Sequence, residues 1–224
     1  MGKYQNIHII GTSHISKESI EKVKKAVFKL KPKIIALELD RARFESLNSK
    51  KKQRTNYQKS IKLLGLKGFI LNMILAFIEK SLGKYTGIKP GSEMKTAINL
   101  AKKLNIQIEL IDQPIQYTMK KLTTEITRKE KLFFIKELIF NVFNKQNEEF
   151  NIKKIPSKNV INKLINDTKA NYPTVYKILV QERNVYMANK LSILAKLYPE
   201  SKILAIVGAG HEKDIVGELK LIIN

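Results

Sequence analysis

Two stretches at opposite ends of the chain carry the same chemistry: Gly11-Thr12-Ser13-His14 and Gly208-Ala209-Gly210-His211. Each follows an apolar run, Ile7-His8-Ile9-Ile10 in the first case and Ile203-Leu204-Ala205-Ile206-Val207 in the second. A short apolar run that ends in glycine, small residues and a polar side chain reads as a strand opening into a turn. Only three histidines occur in 224 residues, and two of them take these matching places. Carboxylates stand at the ends of two further strand-like runs, Glu38 and Asp112, and Glu93 opens a helix-like one. Two imidazoles with one or two carboxylates form a donor set for Zn²⁺, Mn²⁺ or Co²⁺, with a position left open for water. The metal would lower the pKa of that water and polarise a carbonyl. Without a metal, one histidine would act as general base, oriented by a carboxylate. His8 lies inside the first run and reads as a hydrogen-bonded core or edge residue.

These groups meet only if the elements that carry them end at one place. Ile7 to Ile10 predicts a strand; Ser16 and Glu18 suit a helix start, and Ile20, Val23, Val27 and Leu30 recur at helical spacing. Pro32 ends that helix, and Ile34 to Leu39 predicts a second strand, so the unit is βαβ with a parallel pair. Alternation in the second strand places Glu38 and Asp40 on one side and Leu37 and Leu39 on the other. Glu38 then reads either as a site carboxylate or as the salt-bridge partner of Arg41 or Arg43. A short helix from Arg41 to about Ser49 follows, then a basic loop. Leu63 to Leu82 reads as buried helix broken at Gly65, Gly68 and Gly83, with a membrane-inserted hairpin as the alternative, since Lys67 and Glu79 interrupt it too often for a full membrane span. Ser92 is a candidate helix cap, and Ala97, Leu100, Ala101 and Leu104 share a helical face with Glu93. Ile106 to Asp112 alternates as a third strand. Helix is predicted over most of 115–198, with Leu132, Phe134, Leu138, Ile139, Val142 and Phe143 as packing residues. A last strand and a closing helix, Ile215 to Ile223, complete the chain. The expectation is an α/β fold: a mostly parallel sheet of about four strands flanked by helices, in one domain over 1–224. Its helical insertions fall at about 50–90 and 115–198. In an open α/β sheet, ligands gather outside the carboxyl ends of the strands, which is where the candidate groups lie.

Composition narrows the function classes. With 43% hydrophobic residues the chain is globular, and the absence of cysteine excludes thiolate chemistry and a disulfide framework. The first strand begins so early that no room is left for a signal peptide, so a cytoplasmic location, or one on the cytoplasmic face of a membrane, is expected. The formal charge of +22 raises the question of an anionic partner. No zinc-finger spacing or aromatic-basic motif accompanies it, which speaks against nucleic acid. An anionic membrane surface and a simply lysine-rich composition remain open, as does homo-oligomer formation.

Six stretches, in order, carry a resemblance over nearly the whole chain. They are Gly11-Thr12-Ser13-His14-Ile15-Ser16, Glu38-Leu39-Asp40-Arg41-Ala42-Arg43, Gly91-Ser92-Glu93-Met94, Leu110-Ile111-Asp112 with Thr118, Glu182-Arg183, and Val207-Gly208-Ala209-Gly210-His211. The chain resembles the TraB/PrgY family, named for proteins that shut down peptide pheromone signalling in enterococci. That family is similar to the GumN-like and TIKI proteins, the latter metal-dependent peptidases with two Gly-x-x-His motifs. More distantly it is similar to erythromycin esterases and haem-binding ChaN-like proteins. The resemblance implies a metal site of His14, His211, Glu38 and Glu93, supported by Arg43, Asp112 and Arg183. It implies a hydrolase that cleaves a peptide or similar amide with divalent Mn, Co or Zn. A protein that sequesters a peptide signal in the same pocket without turning it over is the alternative. Two departures stand out: Gln113 follows Asp112 where the family has arginine, and Asn184 follows Arg183 where an acid is usual. Many relatives continue into transmembrane helices after the closing helix, so membrane attachment is left open.

Overall fold

The computed structural model describes residues 1–12, 17–49, 91–133, 136 and 166–223. Its centre is a five-stranded sheet in the order β1-β2-β5-β3-β4. The strands are β1 (Gly2–Tyr4), β2 (Ile7–Thr12), β3 (Ile34–Leu37), β4 (Gln107–Leu110) and β5 (Ile203–Gly208). β2, β5, β3 and β4 run parallel, and only β1 is antiparallel, paired to β2. β1 is the strand that sequence reading does not anticipate, because three residues are too few to show alternation. It returns on β2 through Gln5, at φ 48°, and Asn6, whose side chain donates to the carbonyls of Tyr198 and Ser201.

Helices cover both faces of the sheet. On one face lie α1 (Lys17–Leu30) and α3 (Ser92–Lys103), which pack Val23, Ala26, Val27, Met94 and Ala97 on Ile10, Ile35, Leu37, Leu204 and Ile206. On the other lie α6 (Glu182–Leu197) and α7 (Glu212–Ile223). They pack Met187, Leu191, Ile215 and Leu219 on Ile7, Ile9, Ala36, Ile203 and Val207. Every residue of β5 is buried, as a central parallel strand covered on both sides must be. Three smaller helices are α2 (Arg41–Asn48), α4 (Ile115–Glu125) and α5 (Pro173–Tyr176). α5 leads into a π turn, Lys177–Gln181, and that turn into α6. Leu122 and Ile126 meet Ile178 of the π turn in a small separate core.

The local signals explain the ends of these elements. Lys31, at φ 47°, closes α1 with its N–H on the Val27 carbonyl, and Pro32 then bars continuation. Two expectations are corrected. The cap of α3 is Gly91 rather than Ser92, since the capping position has φ 81°, which a residue with a Cβ rarely adopts. Leu132, read as packing, is 67% exposed. In the last part of the stretch 115–198, where helix is expected, the helix is present but changes to a π turn at Lys177–Gln181. Ser16, the apolar stretch Leu63 to Leu82 and the packing residues from Phe134 to Phe143 fall outside the described residues. Among the described residues no helix is long and apolar enough to cross a membrane.

The chain order makes a crevice. β2 leads through α1 to β3 across one face, whereas the return to β5 runs through α6 on the other. Right-handed crossovers require this exchange of faces when the direction of travel across the sheet reverses. The segments that follow β2 and β5, and those that follow β3 and β5, therefore leave toward opposite faces. Such a switch point opens a cleft at the carboxyl ends of the strands.

Candidate functional site

The cleft is built first from the end of β3. Ile34 and Ala36 face α6, Ile35 and Leu37 face α1, and Glu38 continues the first set, as alternation predicts. Its carboxylate is 6% exposed. Oε2 accepts from the Gly208 N–H at 2.5 Å, and Oε1 accepts from Arg183 Nη2 at 2.5 Å. The two partners come from the last residue of β5 and the first turn of α6. The salt bridge to Arg41 or Arg43 is not what holds Glu38. Arg41 pairs with Glu45 at 2.6 Å, and Arg43 turns to other carboxylates.

Asp40 is a scaffold residue. Its Oδ1 caps α2 through the Arg43 N–H at 2.7 Å, and its Oδ2 accepts from the Ile115 N–H at 2.8 Å, which fixes the start of α4. That places Arg43 to donate from Nη2 to Asp112 Oδ2 at 2.5 Å. Asp112 also receives Arg183, from Nε to Oδ1 at 3.0 Å and from Nη2 to Oδ2 at 2.6 Å, a two-pronged fork. Burial works against the Asp112 charge, but the two guanidiniums outweigh it and hold the carboxyl below its usual range. Asp112 is thereby an anchor for two arginines. Burial likewise opposes the charge on Arg183, and Asp112 and Glu38 raise its pKa well above the ordinary arginine value.

The π turn has a part in this. Its wide pitch is closed by the Glu182 N–H on the Lys177 carbonyl, while the Leu179 carbonyl accepts from Arg183 Nη1 at 3.1 Å. Such turns recur at functional sites because they re-aim the residues around them.

His211 stands just before α7. Its Nδ1 lies 2.6 Å from Asn184 Oδ1, and Asn184 Nδ2 donates to Asp214 Oδ2 at 3.2 Å. The bond to Asp214 sets the amide so that its oxygen meets the imidazole, and Nδ1 therefore carries the proton. In the neutral ring Nε2 then has its lone pair, and it lies 3.6 Å from Glu38 Oε1. Two ligands about 2.1 Å from one tetrahedral ion would be about 3.4 Å apart. A histidine whose second nitrogen is held by a fixed acceptor also has the usual form of a metal ligand. The 3.6 Å separation is thus close to that of two ligands on one ion, while Glu38 Oε1 also accepts from Arg183 Nη2. Among the described residues no three His, Asp or Glu side chains form such a group by themselves.

Hydrogen bonds join four of the predicted site residues, Glu38, Arg43, Asp112 and Arg183, in one cluster, and His211 approaches it with Nε2 3.6 Å from Glu38 Oε1. Glu93 is 1% exposed in the first turn of α3, inward as its spacing predicts. His14 falls outside the described residues. Its strand ends beside β5, where the Ala209 N–H donates to the Thr12 carbonyl at 2.9 Å. Sequence reading missed two contributors, Asn184 and Asp214. Asn184 is noted there only as a departure, and its spacing from His211 carries no helical or strand period. The other departure, Gln113, is buried and donates to Thr118 Oγ1 at 2.7 Å, so no cation takes that place. His8, expected to be hydrogen-bonded, has a buried Nδ1 with no hydrogen-bond partner among the described residues.

The chain is similar to an uncharacterized protein of Methanocaldococcus jannaschii, with 38% identity over 98% of this chain and 54% of that one. It is also similar to TraB domain-containing proteins of Mus musculus and Homo sapiens, at 22% and 21% identity over 92% of this chain and 60% of theirs. The chain thus spans less than two thirds of the length of the curated relatives it matches. The model of the TraB/PrgY/gumN family matches residues 2–222, and the chain belongs to that family.

Proposed function

We propose that this chain is a metal-dependent hydrolase that cleaves a peptide or similar amide, of the kind a peptide signal would present. The observation that carries the reading is the pairing of His211 with Glu38 at the switch point, the ring held by Asn184 and the carboxylate by Gly208 and Arg183. His211 and Glu38 would hold the cation, with His14 and Glu93 as the further candidates. A bound divalent ion supplies an acidified water and polarises a carbonyl. The rest falls to the chain. Asn184 keeps the His211 proton on Nδ1 and so directs the Nε2 lone pair toward Glu38. Arg183 and Gly208 fix the Glu38 carboxylate in a buried place. Arg43 and Asp112 fix the Arg183 guanidinium, so the cation of the cluster is preorganised.

The sequestering alternative has one observation in its favour. Both oxygens of Asp112 and one of Glu38 are engaged by arginine, which suits holding a ligand as well as turning one over. Incubation with a mixed peptide library and Mn²⁺, Co²⁺ or Zn²⁺, followed by mass spectrometry, separates the two. Hydrolysis is expected in the wild type and lost in Glu38→Gln and His211→Ala. Peptides retained on the protein but never cleaved under any of the three metals would reject the hydrolase and favour sequestration.

A further inference from the structure

The segment from β5 to the start of α7 grips the end of β2 in three places. The Thr12 hydroxyl donates to the Val207 carbonyl at 3.1 Å, and the Thr12 carbonyl accepts from the Ala209 N–H at 2.9 Å. The third grip is Glu212, whose Oε2 accepts from the Gly11 N–H at 2.9 Å. His211 stands between the second and third grips, Ala209 and Glu212. Both flanks of the imidazole residue are therefore tied to the strand whose last residues open the first Gly-x-x-His stretch.

An acid in the first turn of a helix commonly serves that helix's own N-terminus. Glu212 opens α7, but both of its oxygens are engaged outside it. Its Oε1 accepts from the Gly2 N–H at 2.9 Å and lies 3.3 Å from the Met1 amine. β1 reaches β2 only as far as Ile9, opposite Gly2, two residues short of Gly11. Beyond that point Glu212 takes the Gly11 N–H, and Lys22 of α1 donates to the Gly11 carbonyl at 2.7 Å. Helices from both faces of the sheet thus clamp one backbone residue. Only glycine admits the Glu212 stem this closely, since a Cβ on Gly11 would stand 3.3 Å from the Glu212 Cβ. Burial opposes the Glu212 charge, but the Gly11 N–H, the Met1 amine and Lys22 outweigh it and hold the carboxyl below its usual range. In the same turn of α7, Asp214 Oδ2 accepts from Asn184 Nδ2. The start of α7 is fastened to β2 by Glu212 and to α6 by Asp214, and His211 Nδ1 meets Asn184 Oδ1 between them.

We propose that Glu212 is a positioning residue for His211: by fastening the start of α7 to the Gly11 N–H, it holds the imidazole against Asn184 and Glu38. What His211 does in that place rests on the hydrolase reading; the placing does not.

The test reads the ring itself. Long-range proton–nitrogen NMR of protein labelled in its three histidines reports which ring nitrogen carries the proton, measured without metal at a pH above the ordinary histidine range. The partner of one nitrogen sets the tautomer, so wild-type His211 should be a single Nδ1–H form. Glu212→Ala should release it into a mixture of tautomers and leave His8 unchanged. Glu212→Gln keeps an acceptor for the Gly11 N–H and should retain the wild-type form. Asn6→Ala removes two bonds at the opposite end of β2 and controls for lost stability; it should lower Tm and leave the His211 signal alone. Titration with Zn²⁺ alone should show about tenfold weaker binding in Glu212→Ala and less than about twofold change in Asn6→Ala. A His211 signal that is the same in wild type and Glu212→Ala, or that changes equally in Asn6→Ala, would overturn the proposal. The two claims fail separately. A wild type that binds Zn²⁺ while Glu212→Ala keeps both its affinity and its tautomer defeats the positioning role and keeps the metal site. A wild type that takes up no metal, yet loses its Nδ1–H form in Glu212→Ala, defeats the metal-dependent hydrolase and keeps the role of Glu212.

Discussion

Arg183→Met removes a side chain that touches both buried carboxylates. Arg183 makes three charge-assisted bonds, two to Asp112 and one to Glu38, and a fourth to the Leu179 carbonyl. The Asp112 and Glu38 side chains are 0% and 5% exposed and the Arg183 side chain 15% exposed, so water replaces little of what is lost. Stripping the partner from a buried charge costs about 3–5 kcal/mol. One carboxylate keeps Arg43 and the other keeps the Gly208 N–H, which argues for the middle of that range, about 4 kcal/mol. For a chain of this size that is a fall in Tm of about 8–16 °C. The loss should depend on pH with a definite sign. Asp112 has a depressed folded pKa, so its contribution is fully present above its ordinary value of 3.8 and declines as pH falls below it. The gap between wild type and Arg183→Met in urea unfolding should therefore narrow as pH is lowered through that value. Adding Asp112→Asn to the variant should recover part of the loss. A cost below about 1 kcal/mol at neutral pH, or a gap that does not change with acid, would refute the reasoning.

Other predictions rest on single contacts. A Cβ on Gly11 would stand 2.5 Å from Glu212 Oε2 and 2.9 Å from the Ala209 Cα, the latter backbone that cannot step aside. Gly11→Ala should cost about 1–3 kcal/mol in chemical denaturation, and a neutral result would contradict the close approach. Gly217 in α7 has nothing within 4 Å of its Cβ position, so Gly217→Ala should stabilise by about 0.5–1 kcal/mol in the same assay. His8 has its pKa lowered by burial first and then by Lys3 and Lys202, so the unfolded chain binds that proton more readily. Its contribution should be constant above its ordinary 6.5 and fall as pH drops below it, and His8→Phe should remove that slope. Identical slopes in wild type and variant would count against this.

The parts of the fold that were legible in the sequence are those with local causes. β2 and β5 are apolar runs ended by glycine, and a parallel strand buried on both faces has that form. The inward turn of Glu38 follows from alternation with Ile34 and Ala36, and the burial of Glu93 from its spacing to Ala97 and Ala101. What was not legible depends on pairs far apart in the chain. Arg183 reaches Glu38 across 145 positions, and His211 finds Asn184 from a different helix. The arginine of the Glu38 ion pair could not be chosen by proximity in sequence, which favoured Arg41 and Arg43. β1 and the π turn are too short to leave a period.

The most direct test of the central claim is the metal content of gently purified protein, wild type beside His211→Ala and His14→Ala. The account predicts about one equivalent of transition metal in the wild type. It predicts loss in both variants, with circular dichroism and Tm retained. Wild-type protein that takes up no Mn²⁺, Co²⁺ or Zn²⁺ on addition, or a His211→Ala variant that keeps its full equivalent, would contradict it.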